Sequence, residues 1–203
     1  MNSRTPRPPH GSSRAGPPPR PGRRTFGAVC AAVGALVLAA PGCGVLSPGS
    51  NGQTSDDITV TSTMIREGEA IPARFTCKGE GVSPPLRWSG LPDETESLAI
   101  IVDDPESVGG AAVHWVLYGL DPENPELPEG TVPQNGKQGQ NSKEQAAYDP
   151  PCPSGDTAHE FRFTVYALKA DIALPDGAPL DQALGAVASN TLARGRLIAT
   201  GGR

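Results

Sequence analysis

The chain has 203 residues, with 17 Lys and Arg against 22 Asp and Glu and a formal net charge of −5. Six of the 17 bases lie before residue 25 and none of the acids does, so beyond that point eleven bases face 22 acids, a net charge of −11. Such a surface disfavours charge-driven attachment to nucleic acid or to anionic lipid headgroups, and any anion it binds must be held in a local pocket.

Residues 1–24 are rich in Pro, Gly and Arg and contain nothing apolar enough to bury. From Phe26 to Ala40 runs "FGAVCAAVGALVLAA", uncharged and made mostly of small or aliphatic residues. Its 15 residues fall short of the roughly 20 that a transmembrane helix needs. They suit the apolar core of a signal peptide, with Arg20, Arg23 and Arg24 as the positive flank. "RRTF" at 23–26 is similar to the start of a twin-arginine export signal, so the sequence leaves the general and twin-arginine routes both open. "LAAPGC" then ends at Cys43 and resembles the bacterial lipoprotein processing site, although Ala40 stands where that signal usually has Leu. The alternative is ordinary cleavage near Ala40, with Cys43 an incidental thiol. The lipoprotein reading predicts a signal peptide over 1–42, a flexible tether over 43–56 and a folded domain over 57–203. It places the protein outside the cytoplasm, anchored to the membrane by lipid on Cys43.

An exported chain sits where disulfides persist. Cys30 leaves with the leader and Cys43 carries lipid, which leaves Cys77 and Cys152. Two is an even count, and they are read as a pair; a two-cysteine metal site is the alternative. From Cys43 onward the 161 residues suffice for one domain with a real core.

No internal repeat is present, and strand-like patterns dominate. "ITVTSTMI" at 58–65 alternates Ile58, Val60, Ser62 and Met64 against Thr59, Thr61, Thr63 and Ile65. "ESLAIIVDD" and "AAVHWVLYGL" are more continuously apolar, as expected of central strands covered on both faces. "HEFRFTVYALKA" alternates again, and "RGRLIATG" reads as a last short strand. Turn-rich segments separate them: "GEGVSPP", "GLPDETE", "DPENPELPEG" and "DPPCPSGDT". One segment reads as a helix, "PLDQALGAVASNTLARG", with Leu180, Leu184 and Val187 at helical spacing, Pro179 in the first turn and Gly195 past the end. The expected fold is a mainly β, two-sheet sandwich with a short helix near the C-terminus.

Beyond the leader two histidines remain, His114 and His159, each in or beside a strand and each near a distinctive loop, "VDDPES" and "YDPPCPSGDTA". Here the chain resembles the phosphatidylethanolamine-binding protein family, and more closely its bacterial, Raf kinase inhibitor-like branch. The resemblance is carried by "FTCKGEGVSPPLRWSGLP", "SLAIIVDDPES", "VHWVLYGL", "LPEG", "YDPPCPSG" and "FRFTVYAL", in the family's order and spacing over about 57–200. It implies a β-sandwich with a C-terminal helical element and a small pocket at one end that takes phosphate, acetate or phospholipid headgroup anions. The implied pocket residues are Asp104, His114 and His159, with Pro153 as a wall and Tyr148 as a neighbour. It also places the loops of Cys77 and Cys152 near the pocket. There are departures: Val108 and Ala112 stand where the family usually has Pro or Gly and often an aromatic, and Glu160–Phe161 replaces Arg–Tyr after the second histidine. The missing arginine weakens an anion-attracting rim and leaves the inner set intact.

The chemistry of that set stands on its own. An imidazole donates from both nitrogens only when protonated. A carboxylate held against one nitrogen fixes the tautomer and leaves the other to face an anionic oxygen. The competing reading of His114 is a satisfied core histidine. Two histidines and a carboxylate also suggest a facial metal triad, but the tight helical pairing of such sites is missing. A Ser-His-Asp hydrolase lacks a "GxSxG" elbow to present its nucleophile. Trp88 and Trp115 read as core. The expected function is therefore binding of a small anion or headgroup, without catalysis, cofactor or metal. The alternative is a protein-interaction module that inhibits a kinase or protease through the loops at the pocket rim.

Overall fold

Every position of the eight-residue run "SLAIIVDD", which forms β3 (Ser97–Asp104), is buried. A strand covered on both faces loses the usual alternation, and the surroundings of β3 show why. In this computed structural model, which describes Ser55, 57–107, 109–152 and 158–201, β3 lies at the centre of a five-stranded antiparallel sheet. Its neighbours are β4 (Ala112–Leu120), β6 (Lys137–Gly139), β7 (His159–Leu168) and β8 (Thr191–Gly201), in the order β6-β4-β3-β7-β8. A smaller sheet of β1 (Thr59–Thr61), β2 (Leu86–Ser89) and β5 (Glu126–Leu127) has the order β1-β2-β5. Between the sheets Val60, Leu86 and Trp88 of the smaller pack with Leu98, Ile100, Val102, Trp115, Leu117, Phe163 and Val165 of the larger. The other face of the large sheet is closed by α1 (Leu180–Asn190), whose Ala183 and Val187 meet Ala99, Ile101, Val116 and Tyr118. The chain divides into units 1–47 and 48–203, and all described residues belong to the second. The leader, the apolar run and Cys43 lie outside the described residues.

Three boundaries differ from the expected ones. The sequence alternates over 58–65, but β1 ends at Thr61, and beyond it Met64 is exposed and Ile65 buried. Ser62 Oγ accepts the N–H groups of Met64 and Ile65 and donates to the Pro85 carbonyl at 2.6 Å, which turns the chain out of the ladder. The helix stops at Asn190, and β8 starts at Thr191 rather than Arg194. Gly195 is therefore no helix cap. It sits mid-strand, where a Cβ would lie 1.7 Å from the Ile58 carbonyl oxygen. Only glycine lets the segment before β1 approach β8 this closely.

Two irregularities shape β4. Gly119, at φ +73°, is the extra residue between the pairs Leu98–Leu120 and Ala99–Tyr118. At the other end the register passes from Val102–Trp115 to Asp103–Val113, so His114 is itself a bulge residue. Regular alternation would put its ring on the helix side with Val116 and Tyr118. Instead it lies edge-on to Phe161, with ring centroids 5.3 Å apart, on the side of the smaller sheet. A bulge re-aims a side chain in this way.

Candidate functional site

The ends of β3, β4 and β7 surround a cavity of about 220 Å³. Ligand pockets of drug-like size run to roughly 300–1,000 Å³, so this one suits an ion or a headgroup. Asp104, His114 and His159 all line it, together with Lys143, Asp149 and Phe161.

His159 opens β7 and Asp104 closes β3, and antiparallel pairing of these strands brings residues 55 apart in sequence together. His159 Nδ1–H donates to Asp104 Oδ2 at 2.8 Å, while Asp104 Oδ1 accepts the Glu106 N–H at 2.8 Å. Asp104 is only 4% exposed. A buried carboxylate with both oxygens engaged is a fixed acceptor, and a hydrogen bond to such a charged group contributes about 1.5–3 kcal/mol.

His114 has a different partner. Its Nδ1–H donates to the backbone carbonyl of Asp149 at 3.0 Å, and the Asp149 N–H returns a bond of 2.9 Å to the His114 carbonyl. The Asp149 carboxylate stands 3.6 Å from the same ring nitrogen and accepts from Lys143 Nζ at 2.8 Å. Neither Asp149 nor Lys143 stands out in the sequence. "YDPP" reads as a turn, and the role of its aspartate depends on a contact across 35 residues. The loop is built by Asn141, which is buried: its Oδ1 accepts the N–H groups of Lys143 and Gln145 and its Nδ2 donates to the Ala147 carbonyl. Ser142 fastens the loop to β4, its N–H donating to the Val113 carbonyl and its Oγ accepting the Val113 N–H.

Tyr148 is not among the lining residues. Its ring packs edge-on against Trp115 at 5.5 Å, and its hydroxyl donates to the Phe75 carbonyl at 3.2 Å. Burial, helped by the neighbouring Asp149 carboxylate, pushes its phenol well above the ordinary value, so it stays a neutral donor. It therefore braces the loop from behind. Pro153 lies outside the described residues. Cys77 and Cys152 form a disulfide with Cα atoms 5.2 Å apart, and Cys152 lines the cavity. Among the described residues no group of three or more His, Cys, Asp or Glu is arranged to hold a metal ion.

The tautomers follow from the partners. A carbonyl and a carboxylate can only accept, so both Nδ1 atoms carry hydrogen and each neutral ring offers a lone pair at Nε2. Protonation turns each Nε2 into a donor. With both rings neutral, Lys143 faces Asp104 and Asp149; with both protonated, three cations face two anions.

Comparison with known proteins gives the family. A family model described as "Phosphatidylethanolamine-binding protein" matches residues 61–201. "Putative lipoprotein LppC" of Mycobacterium tuberculosis is 40% identical over 147 residues, covering 72% of this chain and 73% of that protein. A "UPF0098 protein" of Chlamydia muridarum is 38% identical over 148 residues, covering 70% of this chain and 96% of that one. Among solved structures, E. coli YbcL, described as a new member of the mammalian PEBP family, is similar with a TM-score of 0.68 at 27% identity, covering 72% of this chain and 99% of that one. CT736 of Chlamydia trachomatis is similar with a TM-score of 0.66 at 34% identity, covering 72% and 97%. The paired sheets, the short helix α1 and these matches together establish that the chain belongs to the phosphatidylethanolamine-binding protein family.

Proposed function

We propose that the cavity binds a phosphate-like anion, free or as a phospholipid headgroup, and that the protein is an exported, lipid-anchored, non-catalytic binding protein. One observation carries the reading: both Nδ1 protons are held by acceptor-only partners, so the two Nε2 atoms become anion donors together when the rings are charged. The strongly acidic composition beyond residue 25 supplies no long-range attraction, so the local donors must provide the affinity.

Calorimetric titration with sulfate and with phosphate tests the reading. Losing either ring in His114→Ala or His159→Ala is expected to weaken binding by roughly ten- to 150-fold, the equivalent of a hydrogen bond to a charged group. Unchanged affinity in both variants puts the site elsewhere.

The anchor rests on the arginine flank, the apolar run and "APGC", and is supported by the lipoprotein name of the mycobacterial relative. Lipid labelling in the native host is expected for the wild type and absent for Cys43→Ser. Equal labelling in both, or none in either, rules it out.

A further inference from the structure

Of the described residues that line the histidine cavity, Lys143 is the only lysine or arginine. Its place is built by its own loop. Asn141 Oδ1 accepts the Lys143 N–H at 2.9 Å, and Glu144, at φ +61°, turns the chain back so that its N–H reaches the Asn141 carbonyl at 2.9 Å. Among the described residues Glu144 is the only one other than glycine at positive φ. Such a residue is rare in the left-handed region and stays there where its surroundings enforce it. The main chain at Lys143 is thereby fixed, while its side chain is 62% exposed.

An ammonium group has three N–H donors. One goes to Asp149 Oδ1 at 2.8 Å, and an exposed ion pair of this kind is held only weakly. Lys143 can therefore keep Asp149 and still donate into the cavity, or leave it at little cost. The two carboxylates that line the cavity do not face it bare. Asp104 is engaged by the His159 ring and the Glu106 N–H, and Asp149 by Lys143.

Resting on the reading that the cavity binds an anion, we propose that Lys143 is its third donor, beside Nε2 of His114 and of His159, and that the three together select a phosphate monoester over a diester. A monoester presents three strong acceptor oxygens and close to two negative charges, which gives each donor an oxygen of its own. A diester, the form of phosphate within a phospholipid, presents two such oxygens and a single charge. The ammonium is a compact charge on a flexible stem, so it can meet the third oxygen without a fixed fork geometry.

The test is calorimetric titration of the full-length protein with methyl phosphate and with dimethyl phosphate at one fixed pH. The wild type should bind the monoester at least about tenfold more tightly than the diester. K143Q should weaken the monoester by about five- to tenfold and the diester by less, so that the ratio falls. K143R keeps the charge and should keep the ratio. A wild type without preference overturns the proposal, as does a ratio unchanged in K143Q or lost equally in K143R. H114Q/H159Q separates this proposal from the reading beneath it. If the wild type binds neither ester, or the double variant binds both as well as the wild type does, the anion pocket itself fails. If binding needs the rings but the ratio ignores Lys143, only the third donor fails.

Discussion

Replacing both cysteines of the Cys77–Cys152 disulfide is expected to lower the unfolding free energy by about 4 kcal/mol, because the bond closes a loop of 75 residues. In the chain-entropy account the effect lies in the unfolded state, which regains the freedom that the closed loop denies it. A native-state cost adds to it. The Cys77 N–H donates to the Pro151 carbonyl at 3.1 Å, so the disulfide and this bond together hold the strap that carries Asp149 against the turn at Ala73–Phe75. Asp149 in turn holds the His114 ring. The Cys77→Ser/Cys152→Ser variant should therefore lose anion affinity as well as stability. Urea unfolding of the wild type and the variant, each extrapolated to zero denaturant with its own slope, measures the first; sulfate titration measures the second. An unchanged midpoint in urea defeats the prediction.

The same substitution at two glycines should have opposite signs. Gly195→Ala sets a Cβ 1.7 Å from the Ile58 carbonyl oxygen and 2.5 Å from its carbon, and backbone atoms cannot rotate aside as a flexible side chain would. The segment entering β1 has to lift off β8, which breaks the bond from the Ile58 N–H to the Arg194 carbonyl and opens the core at Ile58, itself buried. A loss of about 3 kcal/mol or more is expected, at the upper end for overpacking. Gly185 lies mid-helix in α1, exposed, and a methyl group added there would have nothing within 4 Å. Gly185→Ala removes only the entropic penalty of glycine in a helix and should add about 0.5–1 kcal/mol. Thermal unfolding of the two variants side by side checks both. A mild effect at Gly195 would mean that the approach of Ile58 is loose.

How much of the molecule is legible in its sequence depends on the range of the interactions involved. β3 and β4 are legible because each buries a long apolar run, β7 because its apolar residues alternate, and α1 because Leu180, Leu184 and Val187 recur at helical spacing. β2, β5 and β6 are two to four residues long, too short for any period to register. The end of the helix is misplaced because Gly195 follows "TLAR", where a cap and a point of close strand contact look alike in one dimension. In the site, Asp104, His114 and His159 are found through the ordered motifs, and the cavity brings them together. Asp149 escapes notice because it acts mainly through its backbone carbonyl, which any residue possesses. Lys143 escapes it because its position is set by the side-chain amide of Asn141 two residues earlier. The bulge that turns His114 towards the pocket leaves no trace in composition.

The central ladder joins β3 to β7, pairing Asp103 with Arg162 and Ser97 with Leu168, partners 59 and 71 residues apart in sequence. The pocket of Asp104, His114 and His159 cannot exist before that ladder closes, since it takes residues from both strands. Chains dominated by such distant pairings search slowly, on the order of milliseconds to seconds, because loop closure precedes any reward from contact. The pocket is thus a late product of folding. If it takes the proposed anion, that anion draws the equilibrium towards the finished fold without helping the search for it.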